Sequence, residues 1–322
     1  MTMKNRVLIT GATGFIGHTL VDRLSLEGSQ VRAVSRRTVS NFPANVELKL
    51  VGDLTPNIDW GTTLAGVDKV VHCAARTHVL NDNAVDSLAE FRLVNSASTL
   101  NLARQAAGAG VRRFVFISSI GVNGTETFGK AFSAGDKEAP HSPYAISKNE
   151  AEKGLRRIAW ETGLEVVVIR PPLVFGAGAP GNVAKLLRIV NKEMPLPLGA
   201  IQNRRSLVAL DNLIDLIAVC LHHPAAANET FLVSDGEDLS TTALLRRLAA
   251  ALGKHVHLIP VPVVMVRFIL RLMGMGKMAQ QLCGSLQVDM RKTRDLLGWT
   301  PPVSTDDGLK QTAQNFLASL QK

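Results

Sequence analysis

The chain has 322 residues, of which 46% are hydrophobic and only 5% aromatic, so aliphatic side chains must fill a large core. Its formal net charge of +9 admits an anionic partner, but no basic run is long enough to indicate nucleic acid. Three cysteines without metal-site spacing exclude structural zinc and indicate a reducing, cytoplasmic compartment. The first six residues lead into a strand-like run without the apolar region of a signal peptide, so export is not expected.

A short apolar run at 6–10 predicts a β-strand, which leads into a helical pattern over 18–27. Three glycines lie between them: Gly11, Gly14 and Gly17. The first permits a tight turn, the second lets the backbone approach a pyrophosphate, and the third allows the helix and strand to pack closely. N–H groups at the helix start would then face the phosphates. We therefore predict a dinucleotide site here; an ordinary tight turn between strand and helix is the alternative.

The second predicted strand, 31–34, ends in Ser35, Arg36 and Arg37. Dinucleotide-binding folds contact the adenosine ribose at this position, where an acidic residue accepts hydrogen bonds from a free 2′-hydroxyl. Serine with arginine suits a 2′-phosphate instead, which favours NADP over NAD. The alternative is that both arginines cap a surface loop.

Further strands are predicted at 46–51, 69–72, 113–117 and 166–170, and a long helix over 82–109. Strands that alternate with helices in this way predict a doubly wound parallel sheet. Because such sheets place their chemistry at the carboxyl ends of the strands, the residues that directly follow the strands are candidates for the site. These are Asp53, Leu54, Ala74, Ala75, Ser118 and Ser119, with Asn95 in the long helix either solvated or bracing a neighbouring loop.

Tyr144 is the only tyrosine of the chain and lies four positions before Lys148. Pro143 suits a first helical turn, so both residues should lie near the start of a helix that continues to about residue 162, on one face of it. A phenol has a pKa of about 10, and a nearby cation favours its phenolate. The pair therefore indicates a proton carrier, with a surface tyrosine beside a solvated lysine as the alternative.

Beyond Pro172 the alternation of strands and helices loosens. Strand-like segments at 207–209 and 231–233 predict a return to the sheet, and the chain from 239 onwards is mostly helical. The most apolar stretch, 261–278, is interrupted by proline and basic residues and is too short for a membrane span. We predict a packed amphipathic helix there, with contact between its arginines and a membrane surface as the alternative.

Four features together strongly resemble the extended short-chain dehydrogenase/reductase family: the glycine loop, Asp53-Leu54, Ser119 and the pair of Tyr144 and Lys148. The segment 292–301 also resembles the closing helix motif of one branch of that family, the nucleotide-sugar epimerases, dehydratases and ketoreductases. The resemblance covers nearly the whole chain.

The resemblance implies an α/β fold, a Rossmann-type doubly wound parallel sheet with a smaller, mostly helical C-terminal substrate lobe. The dinucleotide-binding domain would span 1–172, with 206–234 returning to it. The substrate-binding lobe would consist of 173–205 and 235–322. A homodimer is usual in the family, formed through the long helix after Asp82 and the helix of Tyr144.

By the resemblance, Tyr144 is the general acid/base, Lys148 holds the nicotinamide ribose and lowers the pKa of the tyrosine, and Ser119 hydrogen-bonds the reacting oxygen. A shift of the phenol from about 10 to near 7 corresponds to about 4 kcal/mol. No metal is expected. The residues expected to contact NADP or NAD are Gly11, Thr13, Gly14, Phe15, Ile16, Gly17, Ser35, Arg36, Asp53, Leu54, Ala74, Ala75, Asn95, Tyr144, Lys148 and Pro171.

One departure from the family pattern narrows the reaction. Sugar-nucleotide dehydratases carry Asp-Glu directly after the catalytic hydroxyl residue, whereas Ile120 and Gly121 follow Ser119 here. Dehydration is therefore disfavoured. We expect reduction of a UDP-4-keto-6-deoxy-N-acetylhexosamine in bacterial surface-polysaccharide synthesis, which the NADP preference supports. The alternatives are a UDP-hexose or UDP-N-acetylhexosamine 4-epimerase with retained NAD, and a reductase of a non-sugar ketone such as a steroid.

The substrate contacts transferred from the family are Ser119, Asn182 near the diphosphate, Leu198 in a strand beside the uracil, and Arg205 on a phosphate. Leu173 replaces an asparagine that is common in the sugar epimerases, which weakens an assignment as a UDP-galactose epimerase. The expected partner is thus a small UDP-sugar. Nucleic acid and a membrane-spanning segment are not expected.

Overall fold

The structure is a computed structural model that describes residues 6–39, 41–77 and 86–321. The part of the predicted long helix at 82–85 lies outside these ranges. Within them, the strands β1 to β10 span Arg6–Thr10, Gln30–Ser35, Glu47–Leu50, Lys69–His72, Arg113–Ile117, Glu165–Arg170, Leu173–Phe175, Arg205–Ala209, Thr230–Leu232 and Asp238–Leu239. The helices α1 to α12 span Phe15–Leu26, Gly61–Leu64, Ser87–Arg92, Ser98–Gly108, Pro143–Thr162, Asn182–Asn191, Leu210–His222, Thr241–Leu252, Val263–Leu272, Gly276–Cys283, Arg291–Leu297 and Thr305–Leu320.

Seven parallel strands form the large sheet in the order β3-β2-β1-β4-β5-β6-β9. The strand order reverses between β1 and β4, and ligands of such sheets bind in the crevice at this switch point. Strands β4 and β5 are buried along their whole length and rich in valine and phenylalanine, as expected for a sheet covered on both faces. The predicted doubly wound parallel sheet is confirmed.

Two aliphatic cores cover the two faces of the large sheet. Helices α1 and α7 pack on one face through side chains such as Leu20 and Leu213, and helices α4 and α5 on the other through Leu102 and Leu155. A third core lies between α6, α8, α12 and the small sheet. Helix α5 has a defined start, because the Ser142 hydroxyl accepts a hydrogen bond from the N–H of Ala145 there.

The small sheet has the order β10-β8-β7 and belongs to the C-terminal half. Of the two strands expected to return to the large sheet, β9 does so, whereas β8 pairs with β7 in the small one. Pro171 and Pro172 explain the separation, since a proline has no N–H to continue the ladder of β6 into β7.

The predicted long helix is continuous from α3 to α4, with a π-helical turn at Leu93–Ala97 between them. The segment predicted as one amphipathic helix at 261–278 forms parts of two helices, α9 and α10, which break near Gly274 with its left-handed φ. Within the described ranges, no helix combines the length and apolar character that a membrane crossing requires.

Candidate active site

The glycine loop joins β1 to α1 beside the switch point. Gly11 has a φ of +67°, and a Cβ added there would lie 2.7 Å from the backbone nitrogen of Ala74. A Cβ on Gly17 would overlap the carbonyl oxygen of Gly11, so this close approach of helix and loop requires glycine. Gly14 precedes α1, whose first turn has no acidic residue. The remaining predicted loop residues are Thr13, which is exposed, and Phe15 and Ile16, which are partly buried.

The end of β2 presents an arginine to solvent. The Ser35 hydroxyl donates to the carbonyl oxygen of Arg37 at 2.7 Å and accepts from its N–H at 3.1 Å. Nη1 of Arg36 lies 2.9 Å from Oδ1 of Asp53, and both side chains are exposed. An exposed ion pair of this kind contributes little to stability, so a phosphate group could replace Asp53 as the partner of the Arg36 guanidinium. Leu54 follows, partly buried.

Asn95 braces the loop that follows β4. Its Oδ1 accepts from the N–H of Arg76 at 2.8 Å, and its Nδ2 donates to the Arg76 carbonyl oxygen at 3.0 Å and to Ser147 Oγ at 3.1 Å. Both ends of the fully buried amide are thus used by the loop and by α5. Asn95 therefore holds the loop that carries Ala74 and Ala75, so its role is bracing rather than solvation.

Lys148 lies fully buried below the end of β5. Its Nζ donates a 2.8 Å hydrogen bond to the carbonyl oxygen of Ile117, the last residue of that strand, and lies 4.4 Å from the ring centre of Phe116. Tyr144 precedes it by one helical turn and packs edge-on against Phe91, with 6.2 Å between ring centres. The helix α5 thus places both side chains at the carboxyl end of the central strands.

Ser119 directly follows β5 in an extended conformation, and its Oγ accepts from the N–H of Gly121 at 3.1 Å. A Cβ added to Gly121 would lie 3.3 Å from Cβ of Ala145 and 3.4 Å from Oγ of Ser119. The hydroxyl of Ser119 and the first turn of α5, which carries Tyr144, therefore both lie next to this glycine.

Burial changes the acid–base properties of the pair. It raises the pKa of Tyr144 to about 12, and it lowers the pKa of Lys148 to about 7 against the opposing effects of Cys73 and Glu152. Burial of the phenol disfavours its phenolate in the chain without a bound nucleotide. The expected lowering of the tyrosine pKa by Lys148 together with the charge of the nicotinamide stays a prediction.

A buried ion pair lies directly behind Ser119. Glu152 accepts from Nε and Nη2 of Arg170 at 2.9 and 2.6 Å, and from the Ser118 hydroxyl at 2.5 Å. Nη1 of Arg170 donates to Oδ1 of Asn123 at 2.9 Å. The network joins β5, β6, α5 and the turn after Ser119, and it directs Ser118 away from the site.

A second buried network runs under the glycine loop. The hydroxyl of Thr10 lies 2.7 Å from Nδ1 of His72, whose Nε2 lies 2.9 Å from the hydroxyl of Thr99. Burial and the charge of Lys148 lower the pKa of His72 to about 3, so the imidazole is neutral at pH 7. His72 therefore connects the ends of β1 and β4 without carrying a charge.

The residues expected to contact the substrate lie around α10 in the C-terminal half. Nδ2 of Asn182 lies 3.3 Å from Oε1 of Gln281, and Nη1 of Arg205 donates to the carbonyl oxygen of Gly284 at 3.1 Å. Leu198 is buried, and its carbonyl oxygen accepts from the hydroxyl of Thr242 at 2.5 Å. Asn182 and Arg205 thus both contact the C-terminal end of α10, while Leu198 contributes to the core of the lobe.

The arrangement fits a dinucleotide. The glycine loop leaves no room for side chains where a pyrophosphate would approach the start of α1, and small residues follow β4. The carbonyl oxygen of Pro171, one of the residues expected to contact the cofactor, accepts a 3.0 Å hydrogen bond from the N–H of Ile120 and so fixes the turn after Ser119. Fold and site together define a dinucleotide-dependent α/β enzyme.

Comparison with known proteins identifies the family. Residues 7–234 match the NAD dependent epimerase/dehydratase family. A UDP-glucose 4-epimerase of Vibrio cholerae is 45% identical over 317 residues, which cover 98% of this chain and 96% of that protein. An N-acetyl-alpha-D-glucosaminyl-diphospho-ditrans,octacis-undecaprenol 4-epimerase of Escherichia coli O157:H7 is 28% identical over 332 residues, which cover 97% of this chain and 95% of that protein. The chain therefore belongs to the NAD-dependent epimerase/dehydratase family of extended short-chain dehydrogenases/reductases.

A solved structure agrees in fold over the whole length. UDP-glucuronic acid 4-epimerase from Bacillus cereus in complex with NAD superposes with a TM-score of 0.80 at 20% identity, covering 98% of this chain and all of that one. This likeness concerns the fold, and it confirms the parallel seven-stranded architecture with a helical C-terminal part.

The sequence patterns did not reveal Glu152 and Arg170, two buried charged residues close to the predicted catalytic residues Ser119, Tyr144 and Lys148. Glu152 lies four residues after Lys148, so Tyr144, Lys148 and Glu152 continue one face of α5, and this spacing was a usable signal. Arg170 is the last residue of a buried strand, where an unpaired charge is not tolerated. A search for its partner would have pointed to Glu152.

Proposed function

We propose that the protein is a UDP-sugar 4-epimerase that retains NAD. The observation that carries the proposal is the convergence of Ser119, Tyr144 and Lys148 at the end of β5, opposite the glycine loop. The relative from Vibrio cholerae, a UDP-glucose 4-epimerase, shares 45% of its residues over nearly the whole chain and supports this reaction.

The roles of the chain's own residues follow from their positions. Ser119 would hold O4 of the sugar through its hydroxyl, and Tyr144 would take the O4 proton and later return it. Lys148 would hold the nicotinamide ribose from its buried position and add positive charge beside the phenol. Bound NAD supplies a hydride acceptor and a positive charge that favours the phenolate. The turn of Ile120 and Gly121 offers no acid for dehydration.

We also propose a division of labour along the chain. The large sheet and its helices, 1–172 with the returning part of 206–234, would hold the dinucleotide, and 173–205 with 235–322 would bind the UDP-sugar. The contacts of Asn182 and Arg205 with the segment at α10 support a diphosphate site there. A homodimer through the long helix of α3 and α4 and through α5, the helix of Tyr144, remains a prediction.

Reduction of a UDP-4-keto sugar is the second candidate, and Arg36 favours it. Its guanidinium follows the end of β2, where dinucleotide-binding folds contact the ribose 2′ position, and among the described residues its ion-pair partner is the exposed Asp53. An NADP-dependent reductase exchanges its cofactor in each cycle, whereas an epimerase keeps NAD. Arg36→Ala would then weaken NADPH binding more than NADH binding.

The experiment that separates the two candidates denatures the purified protein and measures the released nucleotide. The epimerase proposal expects stoichiometric NAD, interconversion of UDP-glucose or UDP-N-acetylglucosamine with its C4 epimer, and no net oxidation of NADPH. Protein without bound nucleotide that oxidises NADPH on a UDP-4-keto sugar would replace the epimerase by the reductase. A thermal shift with uridine diphosphate tests the nucleotide-sugar class, since a steroid reductase should not respond.

A further inference from the structure

Helices α9 and α10 direct large apolar side chains towards solvent. Eight of the 17 exposed large hydrophobic residues of the described chain lie between 259 and 278. They are Ile259, Val264, Met265, Phe268, Ile269, Leu272, Met273 and Met278, with Val264, Phe268 and Leu272 exposed by 78%, 62% and 72%. We call this set the α9–α10 face. Only the opposite side of α9, which carries the buried Val266, packs against the rest of the described chain.

The exposed residues of α9 form one stripe. Val264, Phe268 and Leu272 follow each other at intervals of four, with Met265 and Ile269 beside them. At 100° per residue this stripe covers an arc of roughly 140°, which is as wide as the apolar faces that helices normally bury. Arg271 projects from the edge of the stripe, next to the line of Val264.

The segment that carries the face has basic residues and no acidic ones. The 50 residues from 239 to 288 contain no Asp or Glu but six Lys or Arg, within a chain of net charge +9. Three of these six lie on α9 and α10: Arg267 pairs with Glu126, whereas Arg271 and Lys277 are exposed and form no ion pair among the described residues. An apolar stripe bordered by basic residues matches the interfacial helices that lie in the headgroup region of a bilayer.

The same charges disfavour a second copy of the chain as the occupant. Two α9–α10 faces brought together would place Arg271 and Lys277 of each copy near those of the other, and residues 239–288 of neither copy supply a carboxylate to neutralise them. An anionic bilayer offers both an apolar interior for Phe268 and Leu272 and negative headgroups for the bases.

The face is connected to the candidate active site. Nη2 of Arg267 on α9 lies 3.1 Å from Oε1 of Glu126, and Nε2 of Gln280 on α10 donates to Oγ1 of Thr125 at 2.9 Å. Thr125 and Glu126 belong to the segment that leads away from Ser119. Helix α10 also contacts Asn182, whose Nδ2 lies 3.3 Å from Oε1 of Gln281. A surface that seats α9 and α10 would therefore lie next to the substrate side of the protein.

We propose that the α9–α10 face binds the surface of an anionic lipid bilayer. Phe268, Leu272 and their neighbours enter the headgroup region, and Arg271 and Lys277 contact the negative headgroups. The proposal does not depend on which C4 reaction the site catalyses, so its test is a binding measurement.

The test is co-sedimentation of the full-length protein with vesicles of phosphatidylglycerol and phosphatidylcholine, compared with vesicles of phosphatidylcholine alone. Phe268→Ser/Leu272→Ser removes apolar area, and Arg271→Gln/Lys277→Gln removes charge. The matched control Leu26→Ser/Leu320→Ser changes two exposed leucines outside the face. Circular dichroism and the melting temperature verify that each variant is folded.

We expect the wild type to bind the anionic vesicles more strongly than the neutral ones. The charge variant should lose roughly fivefold in partitioning for each base removed, the apolar variant should lose most of its binding, and the control should bind like the wild type. Absence of wild-type binding, or unchanged binding by both variants, would overturn the proposal. So would a wild-type oligomer that the apolar variant converts to a monomer, because a second copy would then cover the face.

Discussion

The ammonium of Lys148 donates a 2.8 Å hydrogen bond to the carbonyl oxygen of Ile117, and this contact fixes the cation at the carboxyl end of β5. The position is completely buried, and burial lowers the pKa of the lysine to about 7. Near pH 7 the Lys148 side chain is therefore partly protonated, so a charged group bound beside it would change its protonation state.

This pKa predicts a pH dependence of stability. Between about pH 7 and pH 10.5 the unfolded lysine holds a proton that the folded one has released, so the free energy of unfolding should rise with pH in that window. Lys148→Met removes this contribution. Urea denaturation of the nucleotide-free protein at pH 7, 8 and 9 should give a steeper rise for the wild type than for the variant. Equal slopes would show that the pKa of Lys148 is not depressed.

Tyr144→Phe removes the proposed proton carrier and keeps the packing against Phe91. We expect turnover to fall by at least two orders of magnitude, which is the usual contribution of general acid–base catalysis. Binding of the UDP-sugar should change little. Steady-state kinetics together with a titration of the sugar nucleotide measure the two effects separately, and near-normal turnover would remove Tyr144 from the mechanism.

Gly17→Ala tests the close approach in the glycine loop. The new Cβ would overlap the carbonyl oxygen of Gly11, so the loop must shift and the affinity for NAD should fall at least tenfold. Gly108→Ala is the matched control, because a Cβ at that end of α4 meets no atom within 4 Å. It should leave NAD affinity unchanged in a fluorescence titration. Similar affinities of both variants would contradict the proposed pyrophosphate contact.

Glu152→Gln tests the buried ion pair behind Ser119. Arg170 would keep its charge without a carboxylate partner, which destabilises a protein by about 3–5 kcal/mol. Glu161→Gln on the same helix removes an exposed partner of Arg157 and should cost less than about 0.5 kcal/mol. Chemical denaturation compares the two variants. If both lost equal stability, the buried pair would have no special role.

The sequence predicted the large sheet well because its signals are local. Buried strands such as β4 and β5 are short apolar runs, and the glycines of the loop have positions that only a tight turn explains. The order of these motifs also brought Ser119, Tyr144 and Lys148 to one edge. Helix α5 begins at Pro143 and ends before Gly163, a left-handed C-cap, as its sequence indicated.

Local sequence patterns could not predict the features that depend on contacts between residues far apart in the chain. The raised pKa of Tyr144 in the nucleotide-free chain follows from burial by the whole fold, which the spacing of Tyr144 and Lys148 does not reveal. The membership of β8 in the small sheet depends on its pairing with β7. The outward direction of Phe268 and Leu272 could not be inferred either, because an apolar stripe gives the same pattern whether it faces a core or solvent.

The most direct test of the central claim is the fate of the hydrogen at C4 when the purified protein acts on a UDP-sugar in deuterium oxide. If Tyr144 moves only the O4 proton and the hydride stays on retained NAD, the C4 epimer forms with no deuterium at C4, and Tyr144→Phe forms almost none of it. Deuterium at C4 of the product, or epimerisation at the wild-type rate by Tyr144→Phe, would contradict the account.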